Sequence, residues 1–409
     1  MSDQGNTTAE ILKEIRVLDF TQVLAGPTVT RLMAEFGADV IKVEPPQGEV
    51  ARRLPWVRDG RSGYFIQQNR GKRSLSVDAK SDQGRELIER LVPHVDVVVE
   101  NFRPGVIDRL GFGYGRLREL NPRIILCSIS ALGQEGERAT KPGYDTVGAA
   151  YSGFAYMTGT PEGGPAMPTP AFGDSSTGIC GFAGVMMALF RRHTTEEGAW
   201  VKASLVDTYM QAHELNVQMI AGSRGEYHPE PAGPVSPSVV PSGIYPAAGR
   251  YVFIACISQD EWRRLCGAMG DPELADDERF ATNDRRVENR DELIALIIAW
   301  LDGFATLDDA VAALEAANMS CAPILSVEEA IADPINRARG AVRTVTDPVW
   351  GEIDLPGVPI RIDDLEFDAG LIAPELGEHN AEILGDLLGV GGGEIEQLLG
   401  DGVLGRRSG

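Results

Sequence analysis

No pair of cysteines in this 409-residue chain has C-x-x-C spacing. Cys127, Cys180, Cys256, Cys266 and Cys321 are scattered and mostly flanked by apolar residues. They read as buried free thiols in a reducing compartment, not as a disulfide framework. Histidine is as sparse: His94, His193, His213, His228 and His379 show no metal-ligand spacing, so no metal is expected. The longest apolar run, "GICGFAGVMMALF" at 178–190, is too short to cross a bilayer. The polar start "MSDQGNTTAEILKEI" is unlike a signal peptide, which leaves a cytoplasmic enzyme as the expectation. Basic residues are outnumbered, 38 Lys and Arg against 60 Asp and Glu, for a formal charge of −22. Such a field repels nucleic acid and anionic membrane, so neither is expected as a partner. A phosphorylated ligand would have to be held by a local basic cluster.

What is present is alternation. "IRVLDFT" (15–21) is strand-like, and "GPTVTRLMAEFG" has Val29, Leu32, Met33 and Phe36 at helical spacing before Gly37 stops it. "ADVIKVE" follows as a strand, "SDQGRELIERLVPHV" as an amphipathic helix capped by Ser81, then the strands "DVVVENF" and "RIILCSIS". This pattern predicts an open, doubly wound α/β sheet in a large domain. Ligands in such sheets sit beyond the carboxyl ends of the strands, here 21–27, 44 onward and 101–105. The Pro-, Gly- and Ser-rich stretch 221–242 reads as a linker or a loop over a site. A smaller α+β domain is expected over 243–327, opening with a hairpin in "YPAAGRYVFIAC". Residues 328–409 then return to complete the large domain begun in 1–220.

Two stretches carry candidate chemistry. "NRGKRSLSVD" puts Arg70, Lys72 and Arg73 together beside Gly71, with Arg52, Arg53, Arg58 and Arg61 upstream. In so acidic a chain this is a candidate phosphate site; a solvated turn before a strand reads equally well. There is no Walker loop, and "GFGYG" at 111–115 does not follow a strand as a dinucleotide fingerprint requires. In "AFGDSSTG", Asp174 stands among small residues ahead of the long apolar run. A carboxylate there can cap the helix, and composition alone favours that; it can also be kept bare for attack.

Seven segments, "VLDFTQVLAGP", "GADVIKVEPP", "NRGKRSLSVD", "VENFRPGVIDRLG", "GYDTVGAA", "GDSSTG" and "LGEHNAEIL", resemble in order and spacing the class III CoA-transferases. That group includes formyl-CoA, carnitine and succinate–dicarboxylate CoA-transferases, and α-methylacyl-CoA racemase shares its fold. The resemblance runs from about residue 15 to 387. It implies a large α/β domain, a small domain and an interlocked homodimer. It places the catalytic aspartate on Asp174 and CoA contacts on Val23, Leu24, Ala25, Arg70, Lys72, Arg73, Asn101, Phe102 and Arg109. An arginine used by some members after the second strand is replaced by Pro45, and a glutamine of formyl-CoA transferase by Leu24. CoA and acyl-CoA are then substrates, a small carboxylic acid is the second partner, and no cofactor is permanently bound.

The competing activity is racemisation, which needs an acid and a base on opposite faces of the α-carbon. The racemases of this fold supply a histidine where this chain has Tyr144, and a glutamate where it has Ser258 or Gln259, with Asp260 and Glu261 only nearby. A phenol with a pKa of about 10 is a poor α-proton base, so transfer is favoured. Tyr144 reads as lining the acyl pocket, or else as a core tyrosine. Glu44, Glu100 and His379 read as scaffold. A non-catalytic CoA-binding dimer is the third reading, disfavoured by Asp174 in its small-residue frame. A small dicarboxylate such as succinate is the expected donor or acceptor.

Overall fold

Short runs rich in Val, Ile and Leu, some carrying a buried polar residue such as Lys42 or Ser74, suit strands covered on both faces. In the computed structural model, which describes residues 7–8, 10–363, 365–368 and 370–406, six such runs form one parallel sheet. They are β1 (Arg16–Asp19), β2 (Asp39–Glu44), β3 (Lys72–Ser76), β4 (Val97–Glu100), β5 (Ile125–Ser130) and β6 (Ala199–Ser204), in spatial order β6-β5-β4-β1-β2-β3. That is a doubly wound order, with β1 and β4 as neighbours whose onward connections diverge. The period-2 alternation sorts side chains onto two faces. Val17, Val97, Val99 and Cys127 pack under α1 (Ala25–Glu35), while Leu18, Val98 and Leu126 face the other way, onto α3. α2 (Gly63–Asn69) leads into β3, and α3 (Asp82–Leu91) is capped by Ser81, whose hydroxyl accepts from the Gly84 N–H at 3.0 Å. After β5 come α4 (Asp145–Tyr151) and the long α5 (Phe172–Thr195), which lies beside α1; α6 (Leu205–Gln211) follows β6.

The chain divides into two compact units. The first takes in the chain up to Phe154, Pro168–Glu214 and everything from Pro334 on; the second takes in Ala155–Met167 and Leu215–Asp333. The second unit contains the antiparallel strands β7 (Gly243–Ala247), β8 (Arg250–Ala255) and β9 (Ser320–Pro323). Its helices include α7 (Gln259–Ala268), α8 (Arg290–Leu301) and α9 (Leu307–Ala316). The expected hairpin is β7–β8. The expected linker 221–242 is corrected: Val235 and Val240 are buried in this unit's core, so the segment belongs to the unit. The unit also reaches beyond the expected bounds 243–327, to Leu215 on one side and Asp333 on the other, and 155–167 leaves the large unit. In the return segment, β10 (Val342–Asp347) and β11 (Gly351–Pro356) pair as a hairpin. α10 (Asn380–Leu388) and α11 (Gly392–Gly400) then bury Ile383, Leu384, Ile395 and Leu398 against the α3 face of the sheet. Cys127, Cys256 and Cys266 are buried as expected, but Cys180 is exposed on α5. No helix among the described residues is long and apolar enough to cross a membrane.

Candidate active site

The connections leaving the carboxyl ends of β1 and β4 are tied to each other. Asn101 accepts from the Gln22 N–H at 2.8 Å and donates to the Gln22 carbonyl at 2.8 Å. One residue on, Val23 has φ of 66°, a left-handed conformation that a β-branched residue rarely adopts. The structure over-determines it: the Val23 N–H donates to Glu49 at 3.0 Å, and Glu49 is paired at 2.7 Å with Lys42, both wholly buried. The turn delivers the chain into α1; its cap residue Leu24 and first residues Ala25 and Gly26 have N–H groups with no hydrogen-bond partner among the described residues. Gly26 is obligatory, because a Cβ there would lie 2.5 Å from Thr21.

In front of this helix start is a cavity of about 200 Å³, walled by Gln22, Val23, Leu24, Ala25, Val50, Asn101, Phe102, Ile129, Ser130, Tyr144, Leu205 and Asp174, among others. A neighbouring cavity of about 180 Å³ shares Asn101, Phe102, Ser130 and Tyr144 and adds Arg103 and Lys141. The switch point of the sheet, the first α1 turn and the start of α5 therefore converge on one space.

Asp174 is in the first turn of α5, but it is not the cap. Ala171 is the cap residue, and the Asp174 carboxylate makes no hydrogen bond among the described residues. The capping work falls to α4 and α6. Asp145 accepts from the Asp174 N–H at 2.7 Å and from the Tyr209 hydroxyl at 2.8 Å, while that hydroxyl accepts from the Gly173 N–H at 3.1 Å. These two N–H groups are thus occupied and are not free to support an oxyanion. Gly173 leaves the room this requires: a Cβ would lie 2.2 Å from the Tyr209 ring and 2.5 Å from Asp145. Half-buried and with the Asp145 charge behind it, the Asp174 carboxyl is pushed up to about 7, burial being the larger cause. Burial and then the Asp174 and Glu49 charges push the Tyr64 phenol of α2 up to about 12.

Of the residues expected to bind CoA, Val23, Leu24, Ala25, Asn101 and Phe102 line the cavity, although the Asn101 amide is already engaged with Gln22. Tyr144 lines it too and is 80% exposed, so it is not a core tyrosine. The basic trio is not brought there. Arg70 is wholly buried against Glu35 at 2.6 Å, and Lys72 against Asp19 at 2.9 Å; Arg73 pairs with Asp39 at 2.7 Å. Their backbone is at the amino end of β3, opposite the carboxyl ends where the cavity opens. Arg109 is exposed at the end of a short helix, Val106–Arg109. Glu44 and Glu100 are scaffold: Glu44 is clamped by Arg52 at 2.7 and 2.6 Å, and Glu100 accepts from the Phe102 N–H at 2.8 Å. His379 accepts from the Ser74 N–H at 3.2 Å. Sequence reasoning missed Asp145, Tyr209, Glu49 and Tyr64; only Asp145, beside Tyr144 in "GYDTV", stood in a motif.

A model of CoA-transferase family III matches residues 12–380. The chain belongs to CoA-transferase family III. Among its relatives, the transferase is 36% identical over 387 residues to succinyl-CoA–D-citramalate CoA-transferase of Chloroflexus aurantiacus, covering 93% of this chain and 94% of that one. It is 34% identical to formyl-CoA:oxalate CoA-transferase of Streptomyces avermitilis (96% and 99% covered) and 36% identical to succinate–glutarate CoA-transferase of Agrobacterium fabrum (95% and 98%). A crystal structure of a CaiB/BaiF family protein from Brucella suis superposes with a TM-score of 0.81 at 34% identity, covering 93% of the transferase and 100% of that chain. In the transferase, the glutamate nearest the position that racemases of this fold use is already committed: Glu261 forms a capping box with Ser258 at the start of α7.

Proposed function

We propose that the transferase moves CoA from an acyl-CoA to a free carboxylic acid through covalent intermediates on Asp174. The observation that carries this reading is the Asp174 carboxylate itself, without a hydrogen-bond partner, in a cavity at the switch point of the sheet. In the first step a carboxylate oxygen attacks the thioester carbonyl; the C–S bond breaks, CoA leaves as thiolate, and a mixed anhydride forms. The thiolate then attacks the aspartyl carbonyl, expelling the donor carboxylate and leaving an aspartyl-CoA thioester. The incoming carboxylate attacks that thioester, giving a new anhydride and CoA thiolate. Attack of the thiolate on the acyl carbonyl of this anhydride restores Asp174 and releases the new acyl-CoA.

Each carbonyl addition develops an oxyanion, and the unpartnered N–H groups of Leu24 and Ala25 at the start of α1 suit it. Arg103 and Lys141 beside the adjoining cavity suit the CoA phosphates in place of Arg70 and Lys72. Tyr144 is available to the acyl group or to a substrate carboxylate. The names of the relatives favour a small dicarboxylate such as succinate as one partner acid. On this reading the transferase acts in the cytoplasm as an interlocked homodimer, with CoA as substrate and no resident cofactor.

Incubation with succinyl-CoA and hydroxylamine should place a hydroxamate on the peptide containing Asp174. Asp174→Ala should abolish both the adduct and CoA exchange. Full exchange activity in that variant would sink the mechanism, and CoA binding without exchange in the native chain would favour a binding dimer instead. Deuterium uptake at the α-carbon of a 2-methylacyl-CoA in heavy water should be absent.

A further inference from the structure

A second, larger cavity of about 620 Å³ opens on the flank of α1 and α5, lined by Thr28 and Arg31 of α1, Ser175 of α5, and Gln68, Arg339 and Arg361, among others. None of the described residues lining it is acidic, although the chain carries a net charge of −22. Arg31 is only 6% exposed, yet its guanidinium makes no hydrogen bond among the described residues, and its Nε and Nη1 are both buried without a partner there. Its nearest carboxylate oxygen, on Glu35, is 3.9 Å away. Glu35 is already shared: Arg70 holds it at 2.6 Å and Arg343 at 2.6 and 2.8 Å. Among the described residues, Arg343 Nε and Nη1 and the buried Gln68 Oε1 are also left without partners.

Three guanidinium groups thus surround one carboxylate; Asp363 and Glu366 line an adjoining cavity with the partly exposed Arg343, so the buried charge that lacks a partner among the described residues is that of Arg31. An unpaired buried ion costs several kcal/mol, so such an arrangement persists when something meets the charge. Burial, and then the Arg70 charge, pull the Arg31 guanidinium down to about 10, so the protein leaves it poorly stabilised. Arg339 and Arg361, both exposed, add further charge to the same wall.

We infer that this cavity is a binding site for a small dianion, a dicarboxylate or inorganic phosphate, held by Arg31 with support from Arg339 and Arg361. Three guanidinium groups lining one cavity without an acidic residue among its described walls favour a dianion over a monoanion, and the volume is in the range of small-molecule sites. Planar guanidinium groups match carboxylate and phosphate oxygens in pairs. The site is distinct from the Asp174 cavity: Thr28 and Ser175 face this one, Ala25 and Asp174 the other.

The test is thermal unfolding of the full chain with succinate, inorganic phosphate or acetate at matched ionic strength. Succinate or phosphate should raise the unfolding temperature saturably, acetate should not, and the stronger dianion identifies the occupant. Arg31→Gln should weaken the apparent affinity by about tenfold or more, the loss of one charge-assisted pair. Arg361→Ala, at an exposed position that folding tolerates, should weaken it by about threefold, and Asp174→Ala should leave it unchanged. Without added anion, Arg31→Gln should be no less stable than the native chain, since it removes an unpaired charge. A dianion effect lost in Asp174→Ala but kept in Arg31→Gln and Arg361→Ala would overturn the site. So would the absence of any dianion effect, the pattern expected if a carboxylate of a second copy meets the charge.

Discussion

Asp174 and Asp145 meet at one helix start, and their surroundings divide the work. Asp145 is held by two donors and stays in place as an anchor; Asp174 faces the cavity with nothing to satisfy it. Because its folded pKa of about 7 is above the ordinary carboxyl value, the native state holds a proton that the unfolded chain releases between about pH 4 and 7. Its contribution to stability is therefore full below pH 4 and lost as pH rises through 7. Asp174→Asn should then raise the unfolding temperature at pH 8 and leave it unchanged at pH 4. The gain should be on the order of 1–2 kcal/mol once the open side of the cavity is allowed for. Since the ionised form attacks, kcat/KM should rise with pH through about 7 and then level off, and a profile falling across pH 6–8 would contradict a carboxylate nucleophile. At Val23, glycine would relieve a left-handed cost of about 1–2 kcal/mol but add roughly 0.5–1 kcal/mol of unfolded-state entropy. Val23→Gly should thus be near neutral in stability while raising KM for acyl-CoA, because the turn into α1 is no longer fixed. Asp174 was singled out in the sequence by the seven-segment resemblance, since its small neighbours alone favoured a helix cap, a role that falls instead to Ala171. Asp145 was not, since it is 29 positions away and acts on another helix through space. Arg70 and Lys72 misled for the same reason: their charges are adjacent in sequence, but Glu35 and Asp19, which neutralise them, are not.

Helices α1 and α5 approach closely enough to share the two cavities because glycines sit at the crossing. A Cβ at Gly178 would lie 2.6 Å from the Ala25 carbonyl oxygen and 2.6 Å from Thr28. Gly178→Ala should gain up to about 1 kcal/mol of helix propensity but lose more, about 1–3 kcal/mol, to the forced separation. The clash wins, so denaturant unfolding should show a net loss, with lower exchange activity because Asp174 moves with α5. A stabilised variant would mean that the two helices separate without cost. β1, β2, β4 and β5 were legible as apolar runs because both faces of the sheet are covered there; the edge strand β6, half-buried and carrying Lys202, was not. The spatial order of the strands was not legible either, because it depends on which edges pair.

A molecule at −22 repels itself, and the repulsion is screened as the Debye length shortens from about 30 Å at 0.01 M salt to about 8 Å at 0.15 M. Raising sodium chloride across that range should increase the unfolding temperature; a fall would mean that favourable ion pairs, such as Lys42–Glu49, outweigh the net field. The two-unit division was only partly legible. Proline and glycine mark 221–242 as irregular, but irregular backbone can still bury Val235 and Val240, and composition does not distinguish the two cases. The large unit is assembled from separated stretches, and the last of them, from Pro334 on, brings α10 and α11 onto the sheet face beneath Leu18, Val98 and Leu126. During synthesis, then, that face is covered by α3 but not by α10 and α11 while the second unit is being made, and only the end of the chain completes the layer. A chain stopped short of α10 would present a broad apolar surface to its neighbours, which makes late truncation a route to aggregation rather than to a smaller working enzyme.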